Sequence, residues 1–295
     1  MTSLELRFPS ITRRHAVGLA LGAALALPFA RTAAQGQTSY TFLVLGIDTR
    51  EDNTDQRSDT IMVSRVNVDA ATVRTLSIPR DLWVEIPGYG SAKINAAYQY
   101  GLEASNVDWR AAATLTRDTI THNFGVAIDG FAVTDMNRFP AVIDAVGGVD
   151  VINPYDLGEP DAATNLIYPE GPLHLNGDQA LLYCRLRHQD GDGARVMRQH
   201  LVLQALLAKL QTPELLPKLP ELVSSLSNSV RTDIPAATQA QLMALLPKLT
   251  PESLVFTNIE PLLSAGTSSG GAWIYVGDFS TLPAYVQGWL DGTIS

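Results

Sequence analysis

Two stretches far apart in the chain carry residues suited to one chemistry. Residues 46–59 read GIDTREDNTDQRSD, which sets Asp48 and Asp59 eleven residues apart with Arg50 and Arg57 between them. Residues 183–199 read YCRLRHQDGDGARVMRQ, which gathers Arg185, Arg187, Arg195 and Arg198 around Asp190 and Asp192. A third fragment, SIPRD at 77–81, adds Arg80 beside Asp81 at the end of an apolar run. Carboxylates attract a hard divalent cation, and the guanidinium fork matches phosphate oxygens. The combination points to a site for a metal-bound diphosphate.

Each element also has a plainer reading. Asp48 and Asp59 could cap turns at strand ends. Brought close together, they would repel and drive one toward protonation unless a cation intervened, and Mg²⁺ is content with one or two protein carboxylates. Arg185 and Arg187 alternate, so an extended segment would project both to one face. On a surface strand they would be solvated; buried together without an anion they would be costly, so an internal cluster implies a polyanion. Arg80 and Asp81 could form a local ion pair, with a phosphate role for Arg80 ranked ahead of it. His174 and His188 have no partner at catalytic spacing and read as structural. Cys184 is the only cysteine, which excludes an internal disulfide, and it reads as a small buried residue.

Strand and helix signals interleave from Tyr40 onward. Residues 42–47, 61–68 and 73–78 are short apolar runs rich in β-branched residues, the last two joined by a short polar link as adjacent antiparallel strands. The first ends in Asp48 and the third in Pro79-Arg80-Asp81, where open sheets present functional groups. Helices are expected over 93–100, from an N-cap at Asp108 to about Asn123 with Gly125 beyond, and over 137–146 before Gly147-Gly148. A strand follows at 149–152, then a long loop over 155–172. Asn176 or Asp178 caps a helix through Tyr183.

The next helix, from about Ala194 to Leu210, is the most informative. At 100° per residue Arg195, Gln199, Val202, Leu206 and Leu210 share one stripe, polar first and apolar afterward. Arg195 and Gln199 therefore continue a buried seam and should point into a cavity at a helix N-terminus, where an anion is favoured. Beyond 211 lie helical segments at 213–229 and 235–249, and 264–271 reads as a flexible loop. This C-terminal part carries no chemistry-bearing motif and reads as completing the same domain.

The totals bound the function. A chain of 295 residues, 46% apolar and 17% charged, buries a sizeable core. A net charge of −9 disfavours a nucleic-acid surface, so arginines gathered at one place stand out. The first 34 residues read as an export segment: Arg13-Arg14 precede an uncharged run from Ala16 to Ala30, and Thr32-Ala33-Ala34 suits cleavage after Ala34. The run falls short of the roughly 20 residues that span a bilayer. The paired arginines resemble a twin-arginine signal, with an uncleaved short anchor as the alternative. Residues 35–295 are then a single domain, with its motifs at about 40–211.

Taken in order, FLVLGIDTR, RSDTIMVSRVN, LSIPRDLWVEIPGYGSAKINAAY, DGFAVTDMNRFPAVIDAVGGVDV and LNGDQALLYCRLRHQDGDGARVMRQ resemble the LytR–CpsA–Psr family of cell-envelope proteins. The resemblance implies an extracytoplasmic α/β domain, with a central mixed, largely antiparallel sheet between helical layers (α-β-α). It implies Mg²⁺-dependent transfer of a glycopolymer from a polyprenyl diphosphate carrier to peptidoglycan through a phosphodiester, at a membrane lipid surface. Asp48 and Asp59 match the metal-associated aspartates. Arg57, Arg80, Arg185, Arg187 and Arg195 match the arginines around the diphosphate, with Gln199 beside them; Arg50 is added from the motif's own chemistry. The lipid tail would lie between the sheet and the helices of 93–124 and 137–146, where Tyr98, Leu115, Ile120 and Phe124 are either tunnel lining or ordinary core. A polyprenyl diphosphate hydrolase, or a non-catalytic polyprenyl-phosphate-binding regulator, are the alternative functions.

Overall fold

The structure, a computed structural model, describes residues 38–48, 56–158, 168–186, 191–225 and 229–294. The export segment, Arg50, Arg187, His188 and Asp190 lie outside these residues. Strands β1 (Ser39–Asp48), β2 (Arg57–Asn67), β3 (Thr72–Ser77), β4 (Trp83–Ile86) and β5 (Gly90–Lys93) come first. Helices α1 (Ala96–Ala104) and α2 (Trp109–Phe124), strand β6 (Gly130–Asp135) and helix α3 (Phe139–Ala145) follow. Then come β7 (Val149–Asn153), β8 (Gly171–Leu175), α4 (Gly177–Arg185) and α5 (Gly191–Leu210). The C-terminal part contributes α6 (Leu219–Ser225), β9 (Val230–Thr232), α7 (Ala236–Leu245), β10 (Leu254–Asn258), β11 (Ser264–Thr267), β12 (Trp273–Val276) and α8 (Leu282–Leu290).

A six-stranded sheet in the order β10-β3-β2-β1-β6-β9 forms the centre. The β1–β2, β2–β3 and β6–β9 pairs are antiparallel, while β1–β6 and β3–β10 are parallel. β1 is apolar on both faces because both are covered. Leu43, Leu45 and Ile47 pack with α1, α2 and α8, while Tyr40 and Phe42 join α3, α4, α5 and α7 on the opposite side. The expected three-layer α/β arrangement is the one observed. Each fully buried leucine or phenylalanine in these layers contributes about 1.5–3 kcal/mol relative to exposure.

Local signals set several boundaries. Asp108 caps α2 by accepting from the Arg110 N–H, and Gly125 ends it in the left-handed conformation at φ 68°. Asn176 and Gln179 close a capping box at the start of α4. Gly177 lets that start lie against α3, since a Cβ there would sit 2.3 Å from the Pro140 carbonyl oxygen.

Other expectations need correction. Lys93 ends a hairpin strand, with the helix starting at Ala96, because β4 and β5 pair across a glycine-bearing turn. The loop expected to run to 172 gives way at Gly171 to β8, which pairs with β7. The helical segments expected over 213–229 appear, among the described residues, as a 3₁₀ turn at Leu216–Lys218, which holds Pro217, followed by α6. Residues 264–267, expected to be flexible, are β11 of a hairpin with β12. Among the described residues no helix is long and apolar enough to cross a membrane.

Candidate active site

β1 and β2 supply the carboxylates. Their register pairs Gly46 with Thr60 and Ile47 with Ser58, so Asp59 is skipped as the extra residue of a β-bulge. A regular strand would send Asp59 and Thr60 to opposite faces. With the bulge, both line one hollow, and Asp48 at the end of β1 lines it with them. Gly46 permits the close approach: a Cβ there would meet Met136 Sδ at 2.9 Å and Thr60 Cβ at 3.0 Å.

The guanidiniums arrive from three directions. Arg80 follows β3, Arg185 sits in the last turn of α4, and Arg195 lies in α5. Arg195 and Gln199 are only 5% and 8% exposed, and both line the hollow, as the polar end of the α5 stripe predicts. Val202, Leu206 and Leu210 continue the stripe into the core. The hollow measures about 270 Å³. Among the described residues its walls carry three guanidiniums against two carboxylates, within a protein that is acidic as a whole.

Ion pairs tie the set together. Arg185 Nη2 donates to Asp48 Oδ1 at 2.9 Å, and Arg80 Nη1 lies 2.7 Å from Asp59 Oδ2. Asp81 accepts from Lys93 Nζ at 2.6 Å and from Arg80 Nε at 3.4 Å. These pairs are partly exposed, so their contribution to stability is small, and their role is geometric. Beside the hollow, Arg57, Asp81, Lys93 and Asn95 line a polar basin of about 170 Å³ that shares Asp48, Asp59 and Arg80. On the α5 side a narrow cleft of about 20 Å³ is apolar, walled by Val44, Met62, Phe139 and Leu203 among others.

The structure thus brings together Asp48, Asp59, Arg57, Arg80, Arg185, Arg195 and Gln199. Arg50 and Arg187 lie outside the described residues. Three corrections follow. Arg185 ends a helix and is not on an extended segment, because the capping box at Asn176 starts a helix that runs through it. Arg198 does not face the hollow. It is 1% exposed and donates from Nε to the Tyr183 carbonyl at 3.1 Å and from Nη2 to the Leu186 carbonyl, so backbone oxygens solvate it where an anion was expected. The apolar cleft lies on the α5 face, bordered by α3 alone of the helices expected beside it. Tyr98, Ile120 and Phe124 are packed core on the other face.

Sequence reasoning missed Thr60 and Met136, both lining residues. Met136 could have been found: it follows β6, which runs parallel to β1, so their ends meet. Burial pushes the Cys184 thiol up to about 12, although Arg198, Arg195 and Arg185 pull the other way. The thiol is protonated and a poor nucleophile at neutral pH.

The donor set suits a hard cation. Among the described residues no cluster of three or more histidine, cysteine or acidic side chains forms a metal cage. Asp48 and Asp59 nonetheless offer two carboxylates at one hollow, and Mg²⁺ typically takes one or two and completes its shell with phosphate and water. The residues present fit Mg²⁺.

Known proteins resemble this chain in sequence and in fold. The model of the LytR_cpsA_psr family matches residues 24–285. A polyisoprenyl-teichoic acid–peptidoglycan teichoic acid transferase TagU from Oceanobacillus iheyensis is 33% identical over 240 residues, covering 81% of this chain and 71% of the relative. The TagU of Halalkalibacterium halodurans is 34% identical over 202 residues, 67% of this chain and 62% of the relative, so this chain spans less than two thirds of that protein. The crystal structure of Bacillus subtilis TagV superposes with a TM-score of 0.70 at 27% identity, covering 87% of this chain and 99% of that one. TagT bound to LIIa-WTA shares the fold, with a TM-score of 0.68 at 22% identity over 89% of this chain and 95% of that one. The chain belongs to the LytR–CpsA–Psr family.

Proposed function

We propose that this protein is an extracytoplasmic phosphotransferase. It moves a glycopolymer phosphate from a polyprenyl diphosphate carrier onto peptidoglycan, with Mg²⁺ at the Asp48–Asp59 hollow. The observation that carries the reading is the meeting of two early carboxylates with the guanidiniums of Arg80, Arg185 and Arg195 around one hollow. The names of the relatives, teichoic acid transferases acting between a polyisoprenyl carrier and peptidoglycan, support the substrate class. The apolar cleft beside Leu203 and Phe139 adjoins the hollow and marks the side from which a lipid tail would leave the diphosphate, although at about 20 Å³ it would have to widen to admit one.

In this reading Asp48 and Asp59 would hold Mg²⁺, which supplies positive charge and Lewis acidity to diphosphate oxygens. Arg185 and Arg80 then exchange part of their pairing with Asp48 and Asp59 for pairing with phosphate. Arg195 and Gln199, fixed by the buried stripe of α5, orient the diphosphate. An acceptor sugar hydroxyl attacks the sugar-linked phosphorus in line. The new P–O bond forms as the bridging P–O bond to the lipid phosphate breaks, polyprenyl monophosphate leaves with the bridging oxygen, and the proton of the acceptor hydroxyl is released to solvent. Guanidiniums held in place before reaction stabilise the charge growing on that oxygen, an effect worth about 10²–10³ in rate per donor.

The test is transfer in vitro from a polyprenyl diphosphate-linked glycan to a peptidoglycan acceptor. The Arg195→Ala protein should lose about a hundredfold or more in kcat. Undiminished transfer by a folded Arg195→Ala protein would reject the assignment. Release of lipid monophosphate without any acceptor would replace transfer by hydrolysis.

A further inference from the structure

Arg198 is among the largest fully buried side chains of the molecule, yet it faces away from the hollow that the other arginines line. Two backbone carbonyls at the end of α4 are among its partners. Nε donates to the Tyr183 carbonyl, Nη2 to the Leu186 carbonyl, and Nη1 reaches the Tyr155 hydroxyl at 3.5 Å. The same end of α4 supplies Cys184 and Arg185 to the wall of the hollow.

That arrangement poses an electrostatic problem. The last turn of a helix leaves carbonyl oxygens unpaired and carries about half a negative charge. Directed at a diphosphate site, this end would repel the ligand and oppose Arg185. α5, packed against α4, solves it: Gln199 lines the hollow, while its neighbour Arg198 reaches the α4 carbonyls.

We propose that Arg198 is a positioning residue that never touches the diphosphate: it cancels the negative end of α4 and fixes Arg185 relative to Arg195 and Gln199, keeping the hollow receptive to an anion. This rests on the diphosphate reading of the site. The reach of its charge is visible at the hollow's wall. Of the guanidiniums that lower the Cys184 thiol's affinity for its proton, Arg198 acts most strongly, ahead of Arg195 and Arg185.

The account separates charge from shape. A lysine at 198 keeps the cation but cannot fork across two carbonyls, whereas glutamine keeps hydrogen bonding and loses the charge. The experiment is calorimetric titration of the full chain with inorganic pyrophosphate in the presence of Mg²⁺, with circular dichroism as a control on folding. Arg198→Lys should bind within about threefold of wild type, and folded Arg198→Gln about tenfold more weakly. Equal binding by wild type and folded Arg198→Gln would overturn the proposal while leaving the diphosphate reading intact. Equal losses in both variants would overturn the role of charge. Should Arg198→Gln fail to fold, Arg198→Lys decides: tenfold weaker binding refutes the proposal, and near-native binding upholds it. A wild-type protein that ignores pyrophosphate would overturn the diphosphate reading and this inference with it.

Discussion

Arg185 donates to Asp48 at 2.9 Å although 137 residues separate them. The contact joins the end of the central strand to the end of α4, and so ties the carboxylate half of the site to the guanidinium half. Partly exposed, it contributes little to stability. It also gives each residue a partner while no substrate is bound, so that the like charges in the hollow do not disperse it.

Metal dependence should be traceable to the bulge. Asp59→Asn keeps the shape of the side chain and removes its charge, so the Mg²⁺ concentration for half-maximal transfer should rise about tenfold or more, with stability nearly unchanged. Titrating Mg²⁺ against activity measures this, and an unaltered midpoint would detach Asp59 from the metal.

Ile120 lies in packed core on the α2 side of the sheet, away from the apolar cleft. Ile120→Ala should therefore cost about 2–5 kcal/mol in denaturant unfolding. Its KM for lipid-linked donor at low temperature should stay within about twofold of wild type. A large KM change without loss of stability would place the lipid on that face after all.

His200 supplies a pH-dependent term. Its Nε2 lies 2.8 Å from Ser77 Oγ, its ring packs on Phe256, and burial lowers its pKa to about 3. The unfolded chain takes up this proton near pH 6.5 and the folded chain does not until about 3. The stabilisation is thus fully present above pH 6.5 and is lost as pH falls through that window, by up to about 1.4 kcal/mol per pH unit for one proton. Urea unfolding between pH 7.5 and 5 should show a shallower decline for His200→Gln than for wild type. Parallel curves would mean that His200 takes up its proton at the same pH in the folded and unfolded chains, against the lowered value.

Much of the frame was legible because it rests on local rules. The apolar runs of β1, β2 and β3 read as strands, and Asp108 and Gly125 bracketed α2 by capping chemistry alone. The α5 stripe told which way Arg195 and Gln199 point, since a 3.6-residue period leaves no other face for them. β8 and β11 were invisible for the converse reason. GPLHL and SAGT carry little β-branched or aromatic content, and only a partner strand makes them extended.

The site was legible in its members more than in its geometry. That Asp48 and Arg185 share a site was suggested by their chemistry and by the family resemblance, but their direct contact could not follow from spacing. The bulge at Asp59 breaks the two-residue alternation on which strand reading depends, so Thr60 was assigned no role. Arg198 looked like its neighbours in type and position. Only the location of the α4 carbonyls distinguishes it from the arginines that face the hollow.

The most direct measurement of the central claim is a double-mutant cycle on transfer from a polyprenyl diphosphate-linked glycan, using Asp48→Asn, Arg185→Ala and the pair. If the two side chains serve one bound diphosphate, each single change lowers kcat/KM by about a hundredfold or more and the double change costs little beyond the worse single. Losses that simply multiply, or a folded Arg185→Ala protein with wild-type kcat/KM, would contradict a shared site.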